Sequence, residues 1–203
     1  ERYDRRRQSD GCMQRLHQED FCQALGVAPE CKYQNEGGPD LARCFALLRE
    51  ATRPSAPQVL RLLDAVIFNA LIGNHDAHAK NFSLLYPGNN SGKTTVLAPL
   101  YDSLSTAMYP TLTQKMAMKI GSKYKFSEVQ ARHWEQFAEG VGFTKAQAKR
   151  RILELAKLLP TTARKLQSDS GHRFAGNPVV EQINTLIEQR CALTIRRLTE
   201  SSN

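Results

Sequence analysis

The clearest chemical pattern in this 203-residue chain lies in one polar stretch and one position downstream of it. Asp76 and Asn81 are separated by four residues, and Asp102 follows further along the chain. In phosphoryl-transfer enzymes an Asp-x-x-x-x-Asn segment supplies a carboxylate that orients the attacking hydroxyl and an amide that binds magnesium. A second carboxylate downstream completes the metal site. The order and spacing of these three residues therefore predict phosphoryl transfer.

The reaction itself explains why these residue types are needed. The transferred phosphoryl group spreads negative charge over its oxygens, so catalysis rests on positioning and on neutralising charge. Magnesium prefers oxygen ligands and takes few of them from protein, and Asn81 with Asp102 would supply these. Lys80 is expected to offset phosphate charge. His78 is expected either to contact phosphate or to support the loop.

A buried helix is predicted to lead into this polar loop. Residues 60–72 are apolar nearly all round a helix, and Gly73 supplies a stop. No apolar run is expected to reach the roughly 18 residues of a membrane span. A buried helix that ends in a polar loop would hold catalytic side chains firmly.

A hairpin is predicted to follow the loop. Residues 82–86 and 95–100 have the composition of short strands, and the polar residues 87–93 between them are typical of a hairpin loop. Such a hairpin would return the chain so that Asp102 faces Asn81.

Most of the remaining chain is predicted to be helical, which makes the expected fold mainly α, and α+β overall with the small hairpin. Polar residues mark the predicted helix starts. The predicted helices are 18–25, 40–50 with Asp40 as N-cap, a long helix from Ser55, one ending at Glu139 with a Ser127–Gln130 capping box, one from Thr144 with Gln147 to Leu159, and one from Pro178 to Leu198.

Several stretches together resemble the HipA family of bacterial serine/threonine kinases, the toxin halves of toxin–antitoxin pairs. The resemblance runs over nearly the whole chain, and its central motif is specific. The matching stretches are Glu1 to Arg5, Gln18 to Gly26, Gly73 to Ser83, Leu97 to Ser105 and Met116 to Gly121. It implies that residues 1–203 form the helical C-terminal lobe of a HipA-like, protein-kinase-like fold.

The resemblance also implies roles, cofactors and partners. ATP and Mg²⁺ would be the cofactors, and the implied substrate is a translation protein such as an aminoacyl-tRNA synthetase. The implied partner is a HipB-like antitoxin, through which the protein would meet DNA indirectly. The implied site residues are the base Asp76, the magnesium ligands Asn81 and Asp102, the phosphate-site residues His78 and Lys80, and the adenine-hinge residues Glu1 and Tyr3.

One departure from the family pattern carries a prediction. The family's ATP-binding lobe precedes the Glu-Arg-Tyr-Asp-Arg stretch, which here begins the chain. The chain has no Gly-rich loop and no strand lysine that would pair the phosphates. We therefore expect these residues alone to bind ATP weakly and to transfer phosphate poorly.

Composition and charge are those of an ordinary globular chain with an excess of basic residues. Hydrophobic residues make up 41% and charged residues 24%, with a net charge of +8 and a pI near 9.4. Five cysteines without a Cys-x-x-Cys pair indicate a reduced, cytoplasmic setting, and no membrane association is expected. The basic runs are short and scattered, which favours solvated faces over a nucleic-acid surface.

Two motifs of other classes remain to be weighed. Residues 88–94 resemble a phosphate-binding P-loop, but three residues separate the glycines where four are required, and a P-loop opens a helix. The helices on either side of Val141–Thr144 have the outline of a helix-turn-helix with a basic second helix. Any packed pair of helices gives the same outline, so a non-catalytic module that binds nucleic acid or an antitoxin stays as an alternative.

Adjacent His75 and Asp76 raise a third possibility, the metal core of an HD-type phosphohydrolase. That class also needs a separate upstream His and a downstream Asp, which His17 and Asp102 could supply. It would leave the Asp76–Asn81 spacing without a role.

Overall fold

The computed structural model describes residues 2–88, 94–169, 171 and 174–200. The adenine-hinge candidate Glu1 and residues 89–93, which contain most of the predicted hairpin loop and of the P-loop look-alike, lie outside the described residues. The chain divides into two compact units, a first unit of residues 1–63 with 77–102 and a second unit of residues 64–76 with 103–203. Whether residues 1–203 act as one domain stays a prediction.

The described residues are mainly helical with small antiparallel sheets, as the sequence predicted. The helices are α1 Phe21–Ala24, α2 Leu41–Ala51, α3 Ser55–Ile72, α4 Ala131–Gly140, α5 Lys145–Ser168 and α6 Pro178–Glu200. The strands are β1 Arg5–Arg7, β2 Met13–Arg15, β3 His17–Asp20, β4 Ser83–Tyr86, β5 Val96–Leu97, β6 Lys115–Ile120 and β7 Lys123–Lys125.

The first unit is organised by an antiparallel sheet in the order β3–β4–β5. The predicted hairpin is present, with Leu84 opposite Leu97, although its second strand is shorter than predicted. The first half of α3 holds β5 at both backbone groups, because Gln58 Oε1 accepts from the amide of Leu97 and Arg61 donates to its carbonyl. The helix thereby fixes the strand that leads to Asp102.

The second unit is a helical assembly with the β6–β7 hairpin. Helices α5 and α6 pack against each other, and Arg164 of α5 pairs with Glu181 and Glu188 of α6 at 2.6 Å each. Their buried apolar side chains include Ile152, Ala156 and Ile187. Buried apolar side chains supply most of the stability of such a pair.

Helix α3 begins at Ser55 and ends directly before Gly73, as predicted. Its 18 residues have a mean hydropathy of 1.3, so the expectation that no segment reaches membrane length was wrong. Length and composition alone would permit a membrane span, yet 56% of the helix is buried inside the protein. Core helices of this kind meet the same criterion, and the burial agrees with the predicted role as a buried support for the loop.

Two predicted helix starts were wrong. Residues 18–20 belong to β3, which pairs with β4, and the helix begins only after Asp20, whose carboxylate caps it through the amide of Gln23 at 2.9 Å. The predicted Ser127–Gln130 capping box is not formed. The box at the start of α4 is Gln130–His133, three residues later, where the backbone amide of Gln130 donates to His133 Nδ1 at 2.8 Å. Ser127 lies in a preceding 3₁₀ turn.

The other predicted caps were correct. Asp40 accepts from the amide of Arg43 at the start of α2, and Thr144 with Gln147 forms the capping box of α5. Helix α5 continues past Pro160 to Ser168, further than predicted. The reason is tertiary, since Arg164 beyond the proline is held by carboxylates of α6.

Candidate active site

The two predicted metal ligands lie side by side in the first unit. Asn81 Nδ2 donates to Asp102 Oδ2 at 2.8 Å, which confirms the expectation that the hairpin brings Asp102 to face Asn81. Asn81 is 5% exposed, whereas the side chain of Asp102 is open to solvent. The pair therefore places a buried amide oxygen beside a carboxylate that solvent can reach.

The backbone of Asp102 is strained. Its φ is 55°, the value of the left-handed region, which costs free energy for a residue with a Cβ. Asp tolerates this region better than most residues. Such strain concentrates at functional sites, where the surrounding structure holds it in place.

The amide oxygen of Asn81 provides a test of whether a cation fits here. Asn81 Oδ1 is buried and has no hydrogen-bond partner among the described residues. A buried polar atom without a partner costs about 1–3 kcal/mol, so such atoms are rare unless a ligand uses them. Amide and carboxylate oxygens are ligands that Mg²⁺ prefers, and the neighbouring Asp102 supplies the charge. The residues present fit a magnesium ion.

Tyr101 ties the metal-ligand segment to the loop, a contact that the sequence analysis missed. Its hydroxyl donates to the carbonyl oxygen of Lys80 at 2.6 Å and lies 2.6 Å from Ser83 Oγ. Burial raises the pKa of Tyr101 to about 12, so the hydroxyl keeps its proton at neutral pH. Tyr101, directly before Asp102, is thus bound to Lys80, directly before Asn81.

A cavity of about 420 Å³ adjoins this network in the first unit. Tyr3 and Lys80, which the sequence analysis assigned to adenine and phosphate, both line it, together with Tyr101 and Ser83. Ligand sites of 300–1,000 Å³ are common for small molecules. The remaining lining residues are Arg2, Asp4, Arg15, Leu16, Gln18, Asp20 and Gln23.

The side chain of Lys80 is an ion-pair partner as well as a cavity residue. Its Nζ lies 2.7 Å from Asp20 Oδ2, and both side chains are partly buried. Asp20 also caps α1, so the lysine is directed by a carboxylate that is itself fixed. Lys80 therefore places a cation in the cavity wall, with part of its charge already balanced.

His78, the other predicted phosphate-site residue, is buried. Its ring meets the ring of Tyr33 edge to face, with centroids 5.4 Å apart and planes at 76°. This contact with Tyr33 is compatible with support of the loop, which is one of the two roles predicted for His78.

Asp76 belongs to the second unit, where a chain of amides leads to it from α3. Asn69 Nδ2 donates to the carbonyl of Ala65, Asn74 Nδ2 donates to Asn69 Oδ1, and the amide of Asp76 donates to Asn74 Oδ1 at 3.1 Å. Asn69 and Asn74 are both buried. Their side chains fix the start of the loop, and neither was singled out from the sequence.

The backbone of His75 is held from two directions in the same unit. Its amide donates to Thr106 Oγ1 at 2.8 Å, and its carbonyl accepts from the amide of Ala117 at 2.7 Å. The residue before Asp76 is thereby fixed to the segment that follows the Asp102 region and to β6.

The two alternative classes find little support. Within the described residues no group of three or more His, Cys, Asp or Glu side chains is placed to hold a metal, as an HD-type phosphohydrolase requires. In the helix-turn-helix look-alike, Lys145 pairs with Glu135 and Glu139, and Arg151 pairs with Asp64. Basic side chains engaged in this way are poorly placed to read DNA.

Comparison with known proteins defines the class to which this fold and site belong. The sequence pattern of the HipA-like C-terminal domain family matches residues 1–163. The chain belongs to the HipA-like C-terminal domain family.

Individual relatives agree with this assignment. The chain is 44% identical to "Putative kinase Y4mE" of Sinorhizobium fredii over 95% of its length and 45% of that protein. It is 29% identical to the serine/threonine-protein kinase toxin HipA of Shewanella oneidensis over 79% of its length and 39% of that toxin. The chain thus spans less than half the length of these curated relatives.

A solved structure has the same fold. The chain matches HipA in the Shewanella oneidensis MR-1 toxin–antitoxin complex of HipA, HipB and operator DNA with a TM-score of 0.85. The sequences are 25% identical, and the match covers 98% of this chain and 49% of the other.

Proposed function

We propose that this chain is the catalytic lobe of a HipA-like serine/threonine protein kinase that uses ATP and magnesium and acts as the toxin of a toxin–antitoxin pair. The observation that carries the proposal is the Asn81–Asp102 pair, in which a buried amide oxygen without a partner lies beside a carboxylate on a strained backbone. Membership of the HipA-like family and kinship with a named kinase toxin support the same reading.

The two oxygen-bearing side chains would divide the work of holding the metal. Asn81 would contribute Oδ1, because Nδ2 is used to orient Asp102. Asp102 would contribute a carboxylate oxygen and the negative charge. A magnesium ion held by these two side chains would supply positive charge that neutralises the charge developing on the transferred phosphate.

Asp76 would act on the substrate hydroxyl. It would accept the hydroxyl proton at a carboxylate oxygen as the hydroxyl oxygen bonds to the γ-phosphorus and the bond to the β–γ bridging oxygen breaks, leaving ADP. The amides of Asn69 and Asn74 would keep the backbone of Asp76 in place during this transfer. Positioning of this kind is the main lever of phosphoryl transfer.

The cavity beside Tyr101 would take the nucleotide. Lys80 would offset phosphate charge, and Glu1 and Tyr3 would form the hinge that meets the adenine ring. His78 would support the loop through Tyr33.

Partners and substrate are proposed from the relatives. A HipB-like antitoxin would bind the kinase and carry it to DNA, as HipA and HipB occur with operator DNA in the Shewanella complex. The proposed substrate is a translation protein such as an aminoacyl-tRNA synthetase, and the proposed compartment is the cytoplasm.

The test is magnesium-dependent phosphate transfer from ATP by the chain fused to the upstream ATP-binding lobe that the family resemblance implies. Asp76→Asn and Asp102→Asn should each abolish transfer, while His75→Asn should retain it, which separates the kinase from a phosphohydrolase. Activity that survives Asp76→Asn would reject the catalytic assignment. A folded fusion that binds ATP but phosphorylates neither itself nor a protein in a cell extract would favour a binding module.

A further inference from the structure

We propose that Arg190 on α6 is a positioning residue for the loop that carries Asp76. This inference rests on the proposed function, because the importance of the loop depends on the role of Asp76. It extends that function to the last helix, which lies beyond residues 1–163 matched by the family pattern.

Arg190 closes the end of α3. Its Nε and Nη2 donate to the carbonyl oxygen of Ala70 at 3.0 and 2.7 Å. Ala70 is in the last turn of the helix, where carbonyl groups lack partners within the helix. A cation is also favourable at this end, because the helix dipole places partial negative charge there.

Two other carbonyls of this turn also have partners. The carbonyl of Asn69 accepts from the amide of Asn74 at 2.9 Å, and that of Ile72 accepts from Ser105 Oγ at 2.7 Å. Arg190 is the member of the set that is most distant in sequence, because it reaches Ala70 from 120 residues away. Its loss would free the turn from which the loop departs.

The guanidinium group is committed to this contact. It stacks on the ring of Phe126 at 3.7 Å from the centroid, and it forms no ion pair within the part of the chain that the structure describes. Burial lowers the pKa of Arg190 to about 10, which leaves it charged at neutral pH. A partly buried arginine that binds a carbonyl instead of a carboxylate is costly to keep for packing alone.

Neighbouring contacts show that α6 meets the loop at a second point. Gly73, at the junction of α3 and the loop, has a φ of 79°, and a Cβ there would lie 3.0 Å from Leu186 Cδ2 of α6. Arg190 lies one helical turn from Leu186. The two residues therefore hold the start of the loop from the same side of one helix.

Arg197 is a matched control on the same helix. It also donates to backbone carbonyls, those of Val129 at 2.6 Å, Ser127 at 2.8 Å and, more weakly, Phe126 at 3.4 Å, but these belong to the segment before α4. Arg197→Met thus removes an equivalent structural contact without touching the loop.

The test compares Arg190→Met, Arg190→Lys and Arg197→Met in the fusion used for the activity assay. Urea unfolding curves first establish a temperature at which all three variants are folded, and the activities are measured there. Arg190→Met should lower kcat about 10- to 100-fold with little change in the KM for ATP. Arg190→Lys should recover part of the loss, and Arg197→Met should keep parental kcat. Equal losses in the two Met variants, or a change confined to KM, would overturn the proposal.

Hydrogen exchange supplies a readout that needs no activity. Arg190→Met should speed exchange of the amides of Asn74, His75 and Asp76, and Arg197→Met should leave them unchanged. Unchanged exchange in Arg190→Met would overturn the positioning role. A parent that transfers no phosphate would reject the proposed function instead, and the exchange comparison would still decide whether Arg190 holds the loop.

Discussion

In the proposed function, Asn81 is a side chain that is suited to a ligand at the expense of stability. One end of its amide is fixed by Asp102, and the other end is buried without a described partner. Asn69 is the opposite case, since its Nδ2 and Oδ1 both have buried partners. Under the proposed function, Asn81 has a ligand-binding role and Asn69 a structural one.

Substitution of these asparagines by leucine should have opposite consequences. Asn81→Leu should leave the free energy of unfolding unchanged or raise it, because a buried unpartnered oxygen is removed, while phosphate transfer is lost. Asn69→Leu should lower the free energy of unfolding by about 2–3 kcal/mol, because two buried groups lose their partners. Urea denaturation in EDTA measures both. A large destabilisation by Asn81→Leu would contradict the ligand role of Oδ1.

Two buried histidines predict a loss of stability in mild acid. Burial lowers the pKa of His75, with a smaller contribution from Arg190, and burial with Arg132 lowers the pKa of His133. The unfolded chain then binds protons more readily than the native state, so the free energy of unfolding falls as the pH drops below about 6.5.

Substitution of either histidine should flatten that pH dependence. The measurement is urea unfolding of the parent, His75→Asn and His133→Gln at several pH values between neutral and about 5. Ser127→Ala, which alters no titratable group, serves as the control and should keep the parental slope. A parental slope in both buried variants would show that other groups govern the effect.

At the scale of elements, a helix begins where a polar residue can bond to the residue three positions later, and this need not be the first polar residue of the segment. Thr144 and Gln147 bond reciprocally at the start of α5, with the amide of Gln147 3.2 Å from Thr144 Oγ1. Ser127 was predicted to cap α4 in the same way but lies in a 3₁₀ turn, and Gln130 takes the role.

These two hydroxyls should differ in their contribution to stability. Thr144→Ala should lower the free energy of unfolding by about 1 kcal/mol, the usual cost of removing an N-cap. Ser127→Ala should have little effect, because the hydroxyl does not cap a helix. Chemical denaturation of the two variants decides the matter, and equal losses would return Ser127 to a capping role.

Patterns that are local in sequence were predictable, and contacts between distant segments were not. The Asp76–Asn81 spacing, the α3 segment and the β4–β5 hairpin could be read from neighbouring residues. Strand β3 was taken for the start of a helix, because its pairing with β4 joins residues far apart in the chain. For the same reason no local pattern indicated that the Tyr101 hydroxyl would bind the carbonyl oxygen of Lys80.

At the scale of the whole molecule, the net charge of +8 overstates the basic surface that is available to nucleic acid. Arginines of the second unit are used internally. Arg151 and Arg164 pair with carboxylates, and Arg190 and Arg197 donate to backbone carbonyls. The excess of basic residues therefore serves the architecture in part.

The chain alone should bind duplex DNA only through general electrostatics. We expect equal affinity for an operator-like and a scrambled duplex, and a steep loss of affinity as salt rises from about 50 to 200 mM. Fluorescence anisotropy with both duplexes measures this. A preference of about tenfold or more for one sequence, which base-specific contacts would produce, would revive the helix-turn-helix interpretation.

The left-handed backbone at Asp102 restricts which amino acids this position can accept. Most side chains would add strain there, but asparagine tolerates the conformation and could still accept the hydrogen bond from Asn81. Asparagine is reached from aspartate by a single base change. Under the proposed function, a single base change therefore yields a folded protein that keeps its protein partners but has lost phosphate transfer. Such inactive relatives should be sought among family members that have Asn at this position.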